Sequence, residues 1–334
     1  MNRKLASLIS LKFLASFMRL FLFLLCLLSF NVFAETNAKH TTSGKVTIGA
    51  YINGVRSIDI KAGTVDLDLY VWFRTKGEKN PLDSFEIMNG SISEKSSIVK
   101  KKIGDENYYS MRIAVKAFQS YDLRKFPLDN QNLTLFFEDS EDDSAALQFV
   151  PDEQNTKVGK SVTLPGWKVG NAKITVHSNT YDTNYGDLSI GENGSKFSRT
   201  IISIPIDREG IGYFFKLFGT VLLAASVAFL SFFIKPVNLD PRFGLGVGGI
   251  FAVVASNLVL SSMLPETPQV TLAEGLLLLT IVAIFISLLE SVVSLTLWES
   301  DKQPLAIKLD YVTGWLMPTI YLLACALMIA AYQY

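Results

Sequence analysis

The chain has 334 residues, of which 49% are hydrophobic, and its formal net charge is zero. Because acidic and basic residues balance, charge gives no support for a nucleic-acid-binding protein. The apolar residues are concentrated, since residues 44–207 are charged and alternate in polarity, whereas residues 211–334 are mostly apolar. A polar part is therefore followed by an apolar part, and the length suits about two domains.

Residues 1–34 have the features of a secretory signal peptide. Basic residues precede the apolar run FLFLLCLLSF, and NVFA then precedes Glu35. This order predicts export and cleavage after Ala34, although an uncleaved anchor would explain the same pattern. Cys26 would leave with the signal and Cys325 lies in an apolar run, so we expect no disulfide in the exported domain.

Residues 35–208 have the pattern of a domain built from β-strands. The stretches VTIGAYINGVRSIDI and TVDLDLYVWFR alternate between apolar and polar residues, and IKAG predicts a turn between them. Asn, Gly, Asp and Pro residues separate the further candidate strands, and no long helical pattern interrupts them. We therefore predict an antiparallel β-sandwich.

The predicted sandwich contains no recognisable catalytic or metal-binding pattern. His40 and His177 are its only histidines, and the sandwich has no Cys nucleophile, glycine-rich phosphate loop or His/Cys metal spacing. The acidic run EDSEDD, residues 138–143, has the oxygen ligands that suit Ca²⁺, but such runs are more often solvated loops. We expect no enzyme activity, cofactor or metal site, and Ca²⁺ binding by the acidic run is left open.

The apolar part, residues 209–334, contains runs that are long enough to span a bilayer, which requires about 20 residues. The runs are Ile211–Ile234, Phe243–Leu264, Leu272–Trp298 and Leu309–Tyr332. Basic residues occur in the first and third connections but not in the second, which predicts a cytoplasmic position for the first and third. The sandwich, the second connection and the C-terminus would then share the opposite side, in agreement with the export signal.

The second run, RFGLGVGGIFAVVASNLVLSSML, is a poor lipid-facing helix. Each of its four glycines costs a helix roughly 0.5–1 kcal/mol relative to Ala. Asn257 and several serines are unfavourable in lipid. Small residues allow close helix approach and polar residues tolerate water, so the pattern predicts an inner, pore-lining helix. A simple membrane anchor would need only one span.

Short motifs follow one another along the whole predicted mature chain. VWFRTKG, FPLDNQNL and LPGWKV lie in the sandwich, and PRFGLGVG, LPETPQVTLAEG and LDYVTGWLMPTIYLL lie in or between the spans. Together they resemble the pentameric ligand-gated ion channels, the Cys-loop superfamily, including its FPFDxQ loop and its pore helix. Gln119 and Leu133 stand where eukaryotic members have two cysteines, so the chain resembles the cysteine-free prokaryotic form.

The resemblance implies a coupling site where the sandwich meets the spans. The tip of the FPLD loop, Phe126 and Pro127, would press onto the outer ends of the spans. Asp129 would lie close to Arg208, just before the first span, and Pro268 would belong to the second connection at the same interface. The alternative is a hairpin that packs only on its own sandwich.

The resemblance also implies that five copies of the second span line a channel. The predicted lining residues are Asp240, Gly244, Gly248, Phe251, Ala255, Leu258 and Ser262. A ring of Asp240 carboxylates at the cytoplasmic mouth would attract cations, although Arg242 would oppose it if it also faced the pore. Phe251 is the predicted gate. The glycines replace the Ser or Thr rings that are usual in the family, so poor conduction or none is an alternative.

Agonist sites in this family lie between subunits and are lined by aromatic side chains. The candidates here are Phe85, Trp167, Tyr181 and Tyr185. Such an aromatic box would suit a cationic amine, although Trp167 also fits a position in the sandwich core.

The combined interpretation is a homopentameric, cation-preferring, ligand-gated channel of a bacterial inner membrane, with its sandwich in the periplasm. Its partners would be the lipid bilayer, inorganic cations, and an unknown small molecule or protons as agonist. Two alternatives remain: a non-conducting sensor or scaffold with the same fold, and a membrane-anchored sandwich that binds carbohydrate or peptide.

Overall fold

A computed structural model of the chain describes residues 44–186 and 195–333. The predicted signal peptide, its cleavage position and Cys26 lie outside the described residues. The described chain forms a two-sheet β-sandwich followed by four helices that are long and apolar enough to cross a membrane. The predicted fold class is therefore confirmed.

The sandwich consists of strands that follow the alternating segments of the sequence. They are β1 (Gly44–Asp59), β2 (Thr64–Thr75), β3 (Phe85–Ile87), β4 (Gly90–Ile103), β5 (Glu106–Phe118), β6 (Asn130–Asp139), β7 (Leu147–Pro151), β8 (Lys157–Val158), β9 (Trp167–Val169), β10 (Lys173–Thr180) and β11 (Lys196–Arg208). One short helix, α1 (Pro81–Ser84), precedes β3.

Two sheets pack face to face. The first has the order β4-β5-β2-β1-β7, with β8 also beside β1, and the second has the order β10-β11-β6-β3, with β9 beside β11. Most pairs are antiparallel, but β7 and β8 run parallel to β1, unlike the prediction. The reason is that β7 follows a crossing from the other sheet, whereas an antiparallel neighbour can follow a tight hairpin.

Strand alternation determines which side chains form the sandwich core. On β2, Leu67, Leu69 and Phe73 are buried because successive side chains of a strand point to opposite faces of the sheet. Leu135 and Phe137 on β6 belong to the same apolar cluster. Full burial of each such side chain contributes roughly 1.5–3 kcal/mol, so packing alone can hold this domain without a disulfide.

The four long helices are α2 (Gly210–Phe229), α3 (Leu239–Met263), α4 (Leu272–Glu299) and α5 (Gln303–Gln333), and α2 continues into a 3₁₀ turn (Leu230–Phe233). Helices α3 and α5 begin several residues before the predicted apolar runs, which started at Phe243 and Leu309. Apolar composition marks the part of a helix that suits lipid, whereas the backbone hydrogen bonds of a helix can continue into a polar first turn.

The start of α4 is set by a capping box. The Thr271 hydroxyl accepts a hydrogen bond from the Glu274 N–H, and the Glu274 carboxylate accepts one from the Thr271 N–H. Two N–H groups that have no partner within the helix are satisfied in this way. The helix therefore begins immediately after the LPETPQV connection.

Within one subunit, α4 is the most enclosed of the four long helices and α5 is the least. Helix α3, predicted to be the inner helix, packs on its neighbours through one side only and leaves its other side exposed. Enclosure of α3 by further copies therefore stays a prediction, because small residues allow close contact on one side without enclosing the helix.

Candidate functional site

The apolar tip of the FPLD loop packs on the long helices. Phe126 is 1% exposed and belongs to the same apolar cluster as Phe218 of α2 and Leu272 of α4. Its ring meets that of Tyr213 edge to face, with centroids 6.1 Å apart. Pro127 is also buried. The loop thus bridges the sandwich and the helices and is not a hairpin that packs on its own sandwich alone.

Backbone groups of this loop bind the first turn of α4. The N–H of Leu272 donates to the carbonyl oxygen of Arg124 at 2.9 Å, and the N–H of Ala273 donates to that of Phe126 at 3.1 Å. The first N–H groups of a helix have no partner inside the helix, so a neighbouring loop can supply one. These contacts had no sequence signal, because every residue carries the same backbone groups.

The predicted ion pair between Asp129 and Arg208 is present. Arg208 Nε lies 2.7 Å from Asp129 Oδ1, and Nη2 lies 3.3 Å from Oδ2. The two side chains are 7% and 1% exposed. Asp129 also accepts a 2.7 Å hydrogen bond from the Gln131 amide. The carboxylate and the guanidinium are thus paired in a buried, two-point geometry.

Arg208 also lies over aromatic rings at the base of the sandwich. Its guanidinium carbon is 4.0 Å from the ring centroid of Trp167, 4.9 Å from that of Phe126 and 5.2 Å from that of Tyr213. A cation over an aromatic face is stabilised, more so where water is excluded. Trp167 therefore lies at the sandwich–helix interface, where its ring is buried against Arg208.

The turn between β1 and β2 makes a further contact that the sequence analysis missed. Lys61 Nζ donates to the carbonyl oxygens of Ser262, at 3.2 Å, and Ser261, at 3.5 Å. These carbonyl groups belong to the last turn of α3, where carbonyl groups lack helical partners and the helix dipole favours a cation. Pro268 is exposed in the connection that follows, near a cavity of about 300 Å³ between this connection and the FPLD loop.

The predicted lining residues of α3 share the exposed side of the helix. They are Gly244, Gly248, Phe251, Ala255, Leu258 and Ser262. The buried residues of α3 are Arg242, Gly246, Gly249, Val253 and Leu260. At about 100° per residue, the two sets lie about 180° apart around the helix axis. The side of α3 that faces away from its own bundle is thus the predicted lining side, and a pore between copies stays a prediction.

Asp240 and Arg242 point in different directions. Asp240 is exposed in the first turn of α3, whereas Arg242 is 0% exposed. The Arg242 guanidinium binds the carboxylate of Asp310 on α5 and the carbonyl oxygen of Ile234. Arg242 therefore does not oppose Asp240 on the exposed side of the helix.

The glycines of α3 fall into two groups. A Cβ on Gly246 would meet Leu288 at 2.4 Å, and a Cβ on Gly249 would meet the Ala224 carbonyl oxygen at 3.2 Å, so these two permit close packing. A Cβ on Gly244 or Gly248 would meet nothing within 4 Å. Packing inside the subunit thus explains the first pair only.

The candidate ligand residues are not brought together as one aromatic box. Tyr181 and Tyr185 meet edge to face with ring centroids 5.7 Å apart. Phe85 instead packs in the sandwich core, with its centroid 5.4 Å from that of Phe73. Trp167 packs against Arg208 at the opposite end of the sandwich. Phe85 and Trp167 are thus occupied by packing within the subunit, and an agonist site between subunits stays a prediction.

The rings around Tyr181 already contact a cation of the same chain. The Arg199 guanidinium carbon lies 5.3 Å from the ring centroid of Phe136 and 5.7 Å from that of Tyr181. Arg199 Nε donates to Glu138 at 2.6 Å, and the Tyr181 hydroxyl donates to the same carboxylate at 2.8 Å. Burial, together with this bond to Glu138, raises the pKa of Tyr181 to about 12.

A second carboxylate lies directly opposite Glu138 on the neighbouring strand. Glu86 on β3 pairs in register with Glu138 on β6. Partial burial, and then the negative charges of Glu138 and Asp139, raise the pKa of Glu86. Like charges directly opposite each other disfavour a sheet, and here the buried Glu138 carboxylate is partly compensated by its ion pair with Arg199.

Three carboxylates of the acidic run are paired with one lysine of the same chain. Lys79 Nζ lies 2.6 Å from Asp142, 3.0 Å from Asp139 and 3.3 Å from Glu141. Burial opposes the charge of Lys79, but its hydrogen bonds to Asp142 and Asp139 raise its pKa to about 12. In the described ranges, 44–186 and 195–333, no group of three or more His, Cys, Asp or Glu side chains is arranged to hold a metal ion.

Comparison with known proteins gives a distant match. No family model matches the chain. Over 187 residues the chain is 27% identical to gamma-aminobutyric acid receptor subunit beta-4 of Gallus gallus, a match that covers 54% of this chain and 36% of that protein. The chain thus spans about a third of the length of this relative. The match, the two-sheet sandwich and the four long helices support a relationship to the Cys-loop superfamily of receptor channels and point away from an enzyme.

Proposed function

We propose that five copies of this chain form a cation-preferring, ligand-gated ion channel in a bacterial inner membrane. The sandwich and the C-terminus face the periplasm, and the agonist is a small molecule or a proton. The observation that carries the proposal is that the FPLD loop bonds to the end of β11, just before α2, and to the start of α4. Asp129 holds Arg208 just before α2, and the loop carbonyl groups accept from Leu272 and Ala273 of α4.

Contacts at the base of the sandwich reach three of the long helices. Arg208 precedes α2, Lys61 binds the end of α3, and the FPLD loop binds the start of α4. A displacement of the sandwich base must therefore move or break bonds to α2, α3 and α4 together. A sandwich that merely needed anchoring to a membrane would not require such contacts, which disfavours a simple carbohydrate- or peptide-binding module.

Ion preference in this proposal comes from Asp240. With Arg242 buried against Asp310, the exposed first turn of α3 presents a carboxylate that no basic side chain of the same turn offsets. A ring of such carboxylates at a narrow mouth would concentrate cations and repel anions. Phe251, 70% exposed on the same side of α3, would form the apolar constriction that excludes water and closes the pore.

Ligand recognition is proposed for the outer face around Tyr181. A cationic amine would have to displace Arg199 from the aromatic rings before it could use them. Protonation of Glu86, whose pKa is raised, offers a second route, because it would remove the negative charge that lies opposite Glu138 without any organic ligand. Tyr185, which is exposed beside Tyr181, would close over a bound amine.

The test is to record the purified full-length protein in planar bilayers against a panel of amines, protons and divalent cations, after class averages in detergent have shown its oligomeric state. The proposal expects five-fold particles and agonist-dependent currents that reverse near the cation equilibrium potential. A stable monomer or dimer, or a current that reverses near the anion potential, would contradict it.

A non-conducting sensor with the same fold is the second candidate. It is favoured by Gly244 and Gly248, which present no side-chain oxygen to replace the water around an ion. For such a sensor, five-fold particles would change conformation with a ligand while every bilayer recording stayed silent.

A further inference from the structure

The end of the helix bundle that lies away from the sandwich contains a buried cluster of charges. Arg242 of α3 binds Asp310 of α5 through two nitrogens, with Nη1 3.2 Å from Oδ1 and Nη2 in contact with Oδ2. The same Nη1 lies 3.8 Å from Glu290 of α4. All three side chains are buried. Removing charges from water is costly, so the cluster depends on its partners being held in place.

The Arg242 guanidinium contacts parts of all four spans. Its Nε and Nη2 donate to the carbonyl oxygen of Ile234, the residue that follows the 3₁₀ turn after α2. Thr313 of α5 donates to the second oxygen of Glu290 at 3.1 Å, which joins α5 to α4 at the same place. The cluster thus links the start of α3 to α5, which is the least buried of the four long helices.

The first turn of α3 is not held by a side-chain cap. Its N-cap residue, Asn238, makes no side-chain capping bond. The next turns contain Gly244, Gly246 and Gly248, and glycine makes a helix more deformable than any other residue except proline. Arg242 is the buried residue of the first turn, so its bonds decide how that turn is rotated.

We propose that Arg242 and Asp310 are positioning residues for the channel mouth, an inference that rests on the proposed channel function. Asp240 and Arg242 are two residues apart, so their side chains diverge by about 200° around the helix axis. With Arg242 anchored toward α5, Asp240 is directed away from the bundle and toward the proposed axis. The outermost helix thereby sets the ion preference of a pore that it does not line.

The two acids of the cluster should differ in importance. Asp310 binds Arg242 through both carboxylate oxygens. Glu290 approaches Arg242 only at 3.8 Å, and its Oε2 has no hydrogen-bond partner among the described residues. Replacing Asp310 should therefore loosen the first turn of α3 more than replacing Glu290.

The test measures two quantities for the wild type and for each variant of the full-length protein. The first is the rate of hydrogen–deuterium exchange of residues 235–245 in nanodiscs, and the second is the reversal potential in a KCl gradient. Asp310→Asn should accelerate exchange in this segment by roughly tenfold and move the reversal potential toward zero. Glu290→Gln should give a smaller change in the same direction. Tyr321→Phe is the matched control, because it removes a buried 2.9 Å contact with Thr280 between α4 and α5 without touching α3.

Asp310→Glu keeps the charge and should restore most of the protection of residues 235–245 and the reversal potential. If Asp310→Asn does not assemble, Asp310→Glu serves as the test variant. Hydrogen–deuterium exchange of residues 235–245 should then be slightly but measurably faster than in the wild type. Equal exchange in Asp310→Asn and Tyr321→Phe would overturn the inference. Faster exchange in a protein that passes no current would support the positioning role and count against the channel proposal alone.

Discussion

At the scale of single residues, Arg208 joins the sandwich to the helices through two kinds of contact. Its guanidinium pairs with Asp129 and at the same time lies over the rings of Trp167, Phe126 and Tyr213. Both contacts are strengthened by the exclusion of water. The sequence predicted the Asp129 pair, because both residues belong to recognisable motifs, but it did not predict that Trp167 would stack on the cation.

The first prediction concerns the Asp129–Arg208 pair. Loss of one partner leaves a buried charge unpaired, so Asp129→Asn should lower the free energy of unfolding by about 3 kcal/mol. In a double-mutant cycle with Arg208→Gln, thermal unfolding should show a coupling energy of at least about 1 kcal/mol. The neighbouring pair of Asp122 and Arg124 is largely exposed and should show no measurable coupling. Additive effects at Asp129 and Arg208 would contradict the account.

The second prediction concerns Glu86 and pH. Its raised pKa means that the folded state binds the proton more tightly than the unfolded state. This stabilisation is present below the ordinary Glu pKa of 4.5 and is lost as the pH rises through the folded value. Glu86→Gln should therefore raise the melting temperature at pH 7, by an amount equivalent to less than about 1 kcal/mol, because Glu86 is exposed. The gain should vanish at pH 4, and a lower melting temperature at pH 7 would refute the assignment.

At the scale of elements, α3 combines close packing on one side with an open surface on the other. The third prediction uses its glycines. Gly246→Ala should overpack the contact with Leu288 and cost about 1–3 kcal/mol. Gly244→Ala meets open space within the subunit and should not destabilise it, since Ala is the better helix former. The melting temperatures of the two variants are compared with that of the wild type. If both variants lose the same stability, Gly244 also packs closely against a neighbouring group.

The fourth prediction concerns the rotation of α3. Phe251 is exposed, whereas its neighbour Ile250 packs on the apolar cluster of the bundle. If Phe251 forms the closed constriction, Phe251→Ser should produce leak current without agonist, because a polar side chain lets water enter the neck. Ile250→Ser should not leak. A Phe251→Ser protein that assembles and stays silent would rule this gate out.

The sequence predicted whole elements better than their ends. The alternation of Leu67, Leu69 and Phe73 marked a strand with one buried face, and four apolar runs marked four helices. The first turns of α3 and α5 were missed because residues such as Asp240 and Gln303 are polar. The hydrophobicity of a residue predicts whether it is buried or exposed to water, and a helix can continue into a part that is exposed to water.

At the scale of the whole molecule, function depends on contacts between residues that are distant in the chain. Lys61 binds the last turn of α3, and Arg242 binds Asp310. Neither pair has a sequence signal, because a side chain does not specify its partner. The FPLD loop was an exception, since the resemblance of its motif to the Cys-loop superfamily implied contact with the helices, whereas its apolar residues alone also suited a hairpin packed on its own sandwich. The resemblance thus implied where the sandwich meets the helices but not which atoms bond there.

The central claim is that the exposed side of α3 lines a cation-preferring pore. The most direct test is the reversal potential of the agonist-activated current in a KCl gradient, measured for the wild-type chain and for Asp240→Asn. We expect a reversal potential near the potassium equilibrium potential for the wild type and a shift toward zero for Asp240→Asn. A reversal potential that is the same with and without the Asp240 carboxylate would contradict the claim.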